Sequence, residues 1–197
     1  TANKRVCTAD ANLFLYANKI NHPHHYLRYS FDGVFPNTGN YFDDNPNPSR
    51  WQQISNHLGI KIEEPRVEGK NILICLQRNH GWSMGSLSVV DWLDTTIAKI
   101  TQYTDRPIVI RAHPGDKKAI TSYIPVLIQK YQHNNKIKIS ALGTPLEQDL
   151  RKAWAVVNHN SSSIVGPLIQ GYPGFVTDLN KSQCAEVVHT DFSKIEN

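Results

Sequence analysis

From Glu68 onward, short continuous apolar runs alternate with longer stretches whose apolar residues recur every three or four positions. Residues 71–77 (NILICLQ) have strand length and no polar alternation, which predicts a strand buried on both faces. Leu87, Val90, Leu93, Ile97 and Ile100 then recur at helical spacing. Residues 107–112 (PIVIRA) predict a second strand, and 117–131 a helix with Ile120, Ile124, Leu127 and Ile128 on one face. A third strand is expected at 137–140, a short helix at 145–153, a fourth strand at 154–158 and a helix at 162–170. A fifth strand at 174–177 and a last helix opening at 182–188 complete the alternation. Strand and helix in strict turn predict a doubly wound, Rossmann-like α/β domain with a parallel sheet.

Residues 1–66 differ in texture. They are rich in Asn, Pro, Tyr, Phe and His, with turn-forming pieces such as FPNTGN and DDNPNPSR. A short strand is expected at 12–16, and a helix at 51–58 entered from Pro48 with Ser49 as N-cap. We therefore divide the chain into an irregular N-terminal extension, 1–66, and an α/β domain, 67–197. The opening TANKR lacks an initiator Met, so the chain is expected to be processed, trimmed or part of something longer.

The composition, 40% hydrophobic and 19% charged over 197 residues, is that of a globular protein. No apolar run reaches the ~18–20 residues of a membrane span. A net charge of +4, scattered along the sequence, does not announce nucleic-acid binding. Cys7, Cys75 and Cys184 are far apart and odd in number, which fits a reducing compartment; we expect a cytoplasmic protein. Cys184 at the start of the expected last helix is a thiol whose pKa that helix would lower.

In a doubly wound sheet, ligands bind beyond the carboxyl ends of the strands, near the point where strand order reverses. The expected strand ends are followed by Gln77-Arg78-Asn79-His80-Gly81-Trp82-Ser83, by Arg111-Ala112-His113-Pro114-Gly115, by Ala141–Thr144, by Asn158-His159-Asn160-Ser161-Ser162-Ser163 and by Thr177-Asp178. Cations and small hydroxyls converging on one edge suit a polyanionic small molecule. Solvated turns with ordinary caps are the plain alternative. The serines decide little alone, since one capping serine is worth roughly 1 kcal/mol and explains one of three. A serine-rich turn opening a helix also offers free N–H groups and a positive dipole end to a phosphate.

The run HNSSSIVGPLIQGYPGFVTD, with RAHPG at Arg111–Gly115, resembles the nucleotide-binding half of GT-B glycosyltransferases. The similarity is to capsular-polysaccharide enzymes and phage-encoded glycosyltransferase-like proteins, and it covers roughly residues 70–190. The resemblance implies a nucleotide-sugar donor as co-substrate, no further cofactor and no metal. By it, Ser161, Ser162 and Ser163 would hold phosphate with Arg111 and His113 nearby; Asn160, Arg78 and Asp178, at the same strand ends, are further expected donor contacts, and His113 and His80 are candidate bases. It implies an acceptor hydroxyl on a glycan or a modified DNA base, in a host cytoplasm if the protein is phage-encoded. Related helices carry a Glu five residues before the Gly of Gly-x-Pro; here that position is Gly166. Asp178 or Glu186 are the candidate substitutes for that contact, and a non-catalytic nucleotide-binding module is the alternative reading.

Three other patterns compete. Gly81–Gly85 (GWSMG) satisfies G-x-S-x-G, with Asp178 and His189 following in hydrolase order. An elbow needs its serine directly after the strand, whereas Ser83 lies several residues beyond Leu76. His22, His24 and His25 with Asp43 and Asp44 are possible metal ligands, but a Pro-containing loop does not enforce their geometry. Tyr26, Tyr29, Phe31, Phe35, Tyr41 and Phe42 are expected to pack on the α/β domain, and Trp82 and Met84 to pack or line a base or sugar pocket.

Overall fold

A computed structural model describes residues 4–11, 13, 27–33, 35, 39, 45 and 47–197. At the amino end, strands β1 (Cys7–Ala11) and β2 (Leu27–Phe31) pair antiparallel, Cys7 opposite Phe31 and Ala11 opposite Leu27. The strand expected at 12–16 falls mostly outside the described residues; β1 lies just before it, in a segment (CTADA) with almost no apolar signal. Helix α1 (Ser49–Leu58) is present, but Ser49 is its first residue rather than its cap. The Ser49 amide donates instead to Asn47 Oδ1 at 2.9 Å.

The α/β domain holds a five-stranded parallel sheet in the order β5-β4-β3-β6-β7: β3 (Asn71–Cys75), β4 (Ile108–Arg111), β5 (Ile137–Ile139), β6 (Ala153–Asn158) and β7 (Gly174–Val176). The doubly wound architecture is thus as the alternation predicts. All of β3 is buried because it is central and covered on both faces. On one face Ile72, Ile74, Ile108, Ile110 and Val157 pack under helices α2 (Val89–Ile100) and α3 (Ile124–Tyr131). On the other, Leu73, Cys75 and Val156 meet Leu150 of α4 (Leu146–Leu150) and Ile164.

Helix α2 follows its stripe, with Ser88 accepting from the Asp91 amide as N-cap, and buries Leu93, Ile97 and Ile100. Leu87 lies before that cap and is exposed. Helix α3 is shorter than its stripe. Pro125 sits in its first turn, where its ring forbids further helix on the N-terminal side, so 117–123 form turns and Ile120 stays outside. Residues 162–170 divide into a 3-10 turn, Ser162–Ile164, and α5 (Val165–Ile169). Gly171 follows with φ +79, and a Cβ there would lie 2.0 Å from the Glu64 carbonyl oxygen. That close approach lets residues 63–66 bond to the end of α5, through Glu63 N to Ile169 O and Arg66 N to Gly171 O, each 2.8 Å.

The helix expected at 182–188 does not form. The segment makes turns, because by His189 the chain must already lie along β7, where it exchanges bonds with Gly174 and Val176. Cys184 accordingly has no helix dipole beside it, and burial pushes its thiol up to about 11. No helix among the described residues is long and apolar enough to cross a membrane.

Candidate functional site

Strand order reverses between β3 and β6, so the loops after these two strands flank the crevice at the carboxyl edge. Gln77 leaves β3 and Asn160 leaves β6, and the two amides clasp. The Asn160 backbone N–H donates to Gln77 Oε1 at 3.0 Å, and Gln77 Nε2 donates to Asn160 Oδ1 at 2.8 Å. Gln77 Nε2 also donates to Ser83 Oγ at 2.6 Å. Asn160 Nδ2 donates to Asp178 Oδ2 at 3.0 Å and to the Ser83 carbonyl at 3.3 Å. Four segments are thereby tied through two buried amides. Each amide has its partners, so their burial costs little. Asn160, expected as a donor contact, has its amide engaged by protein. Gln77 was absent from the expected site residues; its only signal is a polar residue closing an apolar run.

The three serines separate in role. Ser161 is the cap, its Oγ accepting from the Ser163 amide at 3.2 Å, and its own N–H is taken by Asn158 Oδ1 at 3.2 Å. Ser163 turns inward toward Cys75 and Asn158. Burial pushes the Cys75 thiol up to about 12. Ser162 is exposed, and among the described residues no protein group engages its N–H or hydroxyl.

The loop after β4 carries His113, whose Nδ1 accepts from the Gly115 amide at 3.0 Å. A neutral ring bonded in this way carries its proton on Nε2, leaving that nitrogen a donor. Arg78 lies alongside: a Cβ on Gly115 would sit 2.6 Å from Arg78 Nη2. Asp116 Oδ2 accepts from the Asn79 amide at 3.1 Å, locking the loops after β3 and β4 together. Arg111 points to the other face of the sheet. There its Nη1 bonds Asp149 Oδ2 and the Thr144 carbonyl, each at 2.6 Å. Both partners of this pair are nearly buried, at 13% and 10% side-chain exposure, so its charge is spent inside the fold. His80 is exposed in a turn with φ 57, and among the described residues no hydrogen bond joins it to His113.

His159 was also missed. Its Nδ1 meets Thr177 Oγ1 at 2.7 Å, and Thr177 Oγ1 accepts from Trp92 Nε1 at 2.8 Å. Burial holds the pKa of both His113 and His159 below the usual 6.5, with Arg78 adding to the effect at His113. For both, the unfolded chain binds protons more readily than the folded one. These histidines therefore contribute stability that is complete above pH 6.5 and is lost as pH falls below it. Thermal unfolding from pH 8 to pH 5 is expected to show that decline, and His159→Gln should flatten it.

Ser83 accepts from an amide and has no histidine among its bonded partners. His189 sits along β7, 5.4 Å from the Phe175 ring centroid. The described geometry is therefore not that of a nucleophile elbow. Met84 is core, at 2% exposure, whereas Trp82 projects from the same loop, stacks on Phe35 at 5.7 Å and lies under Lys181. Phe35 thus packs on the α/β domain as expected, while Tyr29 is exposed. Tyr26, Tyr41, Phe42 and the proposed metal ligands His22, His24, His25, Asp43 and Asp44 lie outside the described residues. Among the described residues no His, Cys, Asp and Glu cluster could hold a metal.

No protein-family model matches the sequence, and no curated protein matches it. Among solved structures the chain is similar to Thermosulfurimonas dismutans KpsC, beta Kdo 2,4 transferase, with a TM-score of 0.54 at 11% identity over 86% of this chain. The shared feature is a GT-B-like fold. The chain spans 64% of the length of that transferase chain. A Methanocaldococcus jannaschii UDP-GlcNAc 2-epimerase, solved with UDP-GlcNAc and UDP, is 17% identical over 64% of this chain and 32% of its own. Its TM-score of 0.39 is too low to bear on the fold.

Proposed function

We propose that residues 67–197 are the nucleotide-sugar-binding domain of a glycosyltransferase, with 1–66 as an appended segment. What supports this reading is that Arg78 and His113 meet over Gly115 on the loops after β3 and β4, while the Gln77–Asn160 clasp ties the β3 loop to the β6 loop that carries the exposed Ser162. Arg78 supplies charge to the diphosphate, and Ser162 supplies its free N–H and hydroxyl. His113 donates its Nε2 proton to the leaving phosphate, stabilising negative charge as the glycosidic bond breaks. Its Nδ1 is engaged, so the base for the acceptor hydroxyl is His80 or a group outside the described residues. The acceptor is a glycan or a modified DNA base. Gly166, in the first turn of α5, leaves no carboxylate there for the sugar, and this favours a second reading, binding without turnover.

Thermal-shift titration with UDP-, GDP- and CMP-sugars tests the reading. One of these donors is expected to raise the unfolding temperature by several degrees, and Arg78→Gln to remove most of that shift. No stabilisation by any of the three overturns it. Product formation with that donor separates transfer from binding alone, and a fluorophosphonate is expected to leave Ser83 unlabelled.

A further inference from the structure

The excess positive charge, scattered along the sequence, gathers in the fold at the edge opposite the switch point. A groove of about 550 Å³ runs along the α4 face of β4 and β5, from Ser140 and Thr144 at the carboxyl end past Lys138 and Gln148 to Arg151 and Lys152 at the amino end. A second cavity of about 400 Å³ starts from the same two residues and turns around the amino edge of the sheet past Lys70 and Arg66. Arg66, Lys70, Lys138, Arg151 and Lys152 line these cavities, and none has an acidic partner among the described residues. The acids nearby are otherwise occupied: Asp149 by Arg111, and Glu196 by Arg106. Glu68 alone opposes the five cations, leaving an excess of four, which equals the net charge of the whole chain.

A second feature points to a ligand. Asn71, at the start of β3, lines the groove at 7% exposure, and its amide nitrogen has no hydrogen-bond partner. Buried donors are almost always matched, so this one calls for an acceptor oxygen. The cations spread over both cavities and meet at Arg151 and Lys152, which suits more than one anionic group. The aromatic surface here is closed. The Arg106 guanidinium lies 4.1 Å from the Trp154 ring centroid, bonded to Glu196 and the Gly69 carbonyl, so no base or sugar ring stacks on that face.

We propose that this trench is a second binding site, for a small molecule bearing two or more phosphate groups, separate from the switch-point crevice. The site needs no nucleobase and no part of the proposed donor machinery. Its cations are exposed, so its affinity depends on ionic strength.

Isothermal titration of the full chain with tripolyphosphate is expected to show binding that weakens as NaCl rises from 50 to 200 mM. Inorganic phosphate is expected to bind at least about ten-fold more weakly, because it engages fewer cations at once. The triple variant Lys70→Gln/Arg151→Gln/Lys152→Gln changes only exposed side chains, and is expected to lose about ten-fold in affinity or more. Asn71→Leu should weaken binding while circular dichroism shows an intact fold. Arg78→Gln, which tests the donor reading, should leave in place the tripolyphosphate binding that the triple variant removes. Absence of binding, equal affinity in the triple variant, equal affinity for monophosphate, or loss of all binding in Arg78→Gln would each overturn the proposal. Co-sedimentation with phosphatidylinositol-phosphate vesicles separates a lipid headgroup from a free ligand. Vesicle binding without tripolyphosphate binding overturns the small-molecule site.

Discussion

Arg111→Ala is expected to lower unfolding stability by roughly 3 kcal/mol, as for breaking a buried ion pair by removing one partner. The loss comes from what remains. Asp149 would keep its charge at 10% exposure with only the Ser140 hydroxyl to share it, and the Thr144 carbonyl would lose its donor. Urea unfolding measures the effect. The double replacement Arg111→Met/Asp149→Leu should recover most of the stability, since no charge is then stranded. The same pair of variants decides what Arg111 does. If it held donor phosphate, as the RAHPG resemblance implies, the double variant would fold but lose the nucleotide-sugar thermal shift. With its guanidinium committed to Asp149, that shift is expected to survive in the double variant. Arg78→Gln, by contrast, should lose the shift and keep the fold.

The contrast between Arg78 and Arg111 shows where sequence reasoning stopped. Arg78 follows β3 and Arg111 ends β4, both are followed by a histidine within two residues, and both are expected at the donor. Strand parity separates them: Ile108 and Ile110 face α2 and α3, so Arg111 faces α4 and finds Asp149. Nothing in the local sequence announces an acid 38 positions away as its partner. The parallel sheet was legible because runs such as NILIC need burial on both faces and leave little alternative. The last helix was misread because helical spacing over seven residues carries no information about the strand edge His189 has to reach. His22, His24 and His25 stay a matter of sequence, since they fall outside the described residues. The serine run was legible as a ligand-edge turn, but not in its division of labour. Which serine caps, which turns inward and which stays open depends on Asn158 and Cys75, one at the end of the same strand and the other on its neighbour.

Asn160→Ala is expected to have the largest effect on ligand binding of any single buried change at the crevice. It removes the acceptor of Gln77 Nε2 and the donor to Asp178 and the Ser83 carbonyl. Stranding part of a buried amide costs about 1–3 kcal/mol. The greater consequence is positional, because the loops bearing Arg78 and Ser162 would no longer share a fixed spacing. A displacement of about 1 Å in positioning groups is enough to cost on the order of a hundred-fold in a positioned reaction. At least a ten-fold loss of nucleotide-sugar affinity is therefore expected, with the fold retained. Gln77→Ala should do the same, and the double variant should be no worse than either, giving a coupling energy above about 1 kcal/mol in a double-mutant cycle. Additive losses would mean that the two amides act separately and that the clasp does not set the crevice. Asn160→Asp gives an independent check through its pH dependence. It sets a second carboxyl where Asn160 now donates to Asp178 Oδ2 at 3.0 Å, and two carboxylates so close cannot both ionise cheaply. One of the pair then has a folded pKa above its unfolded value. Its stabilising contribution is present in acid and disappears as pH rises through that folded pKa. Wild type loses stability toward acid through His113 and His159, so this variant should approach it in acid and fall away near neutral pH.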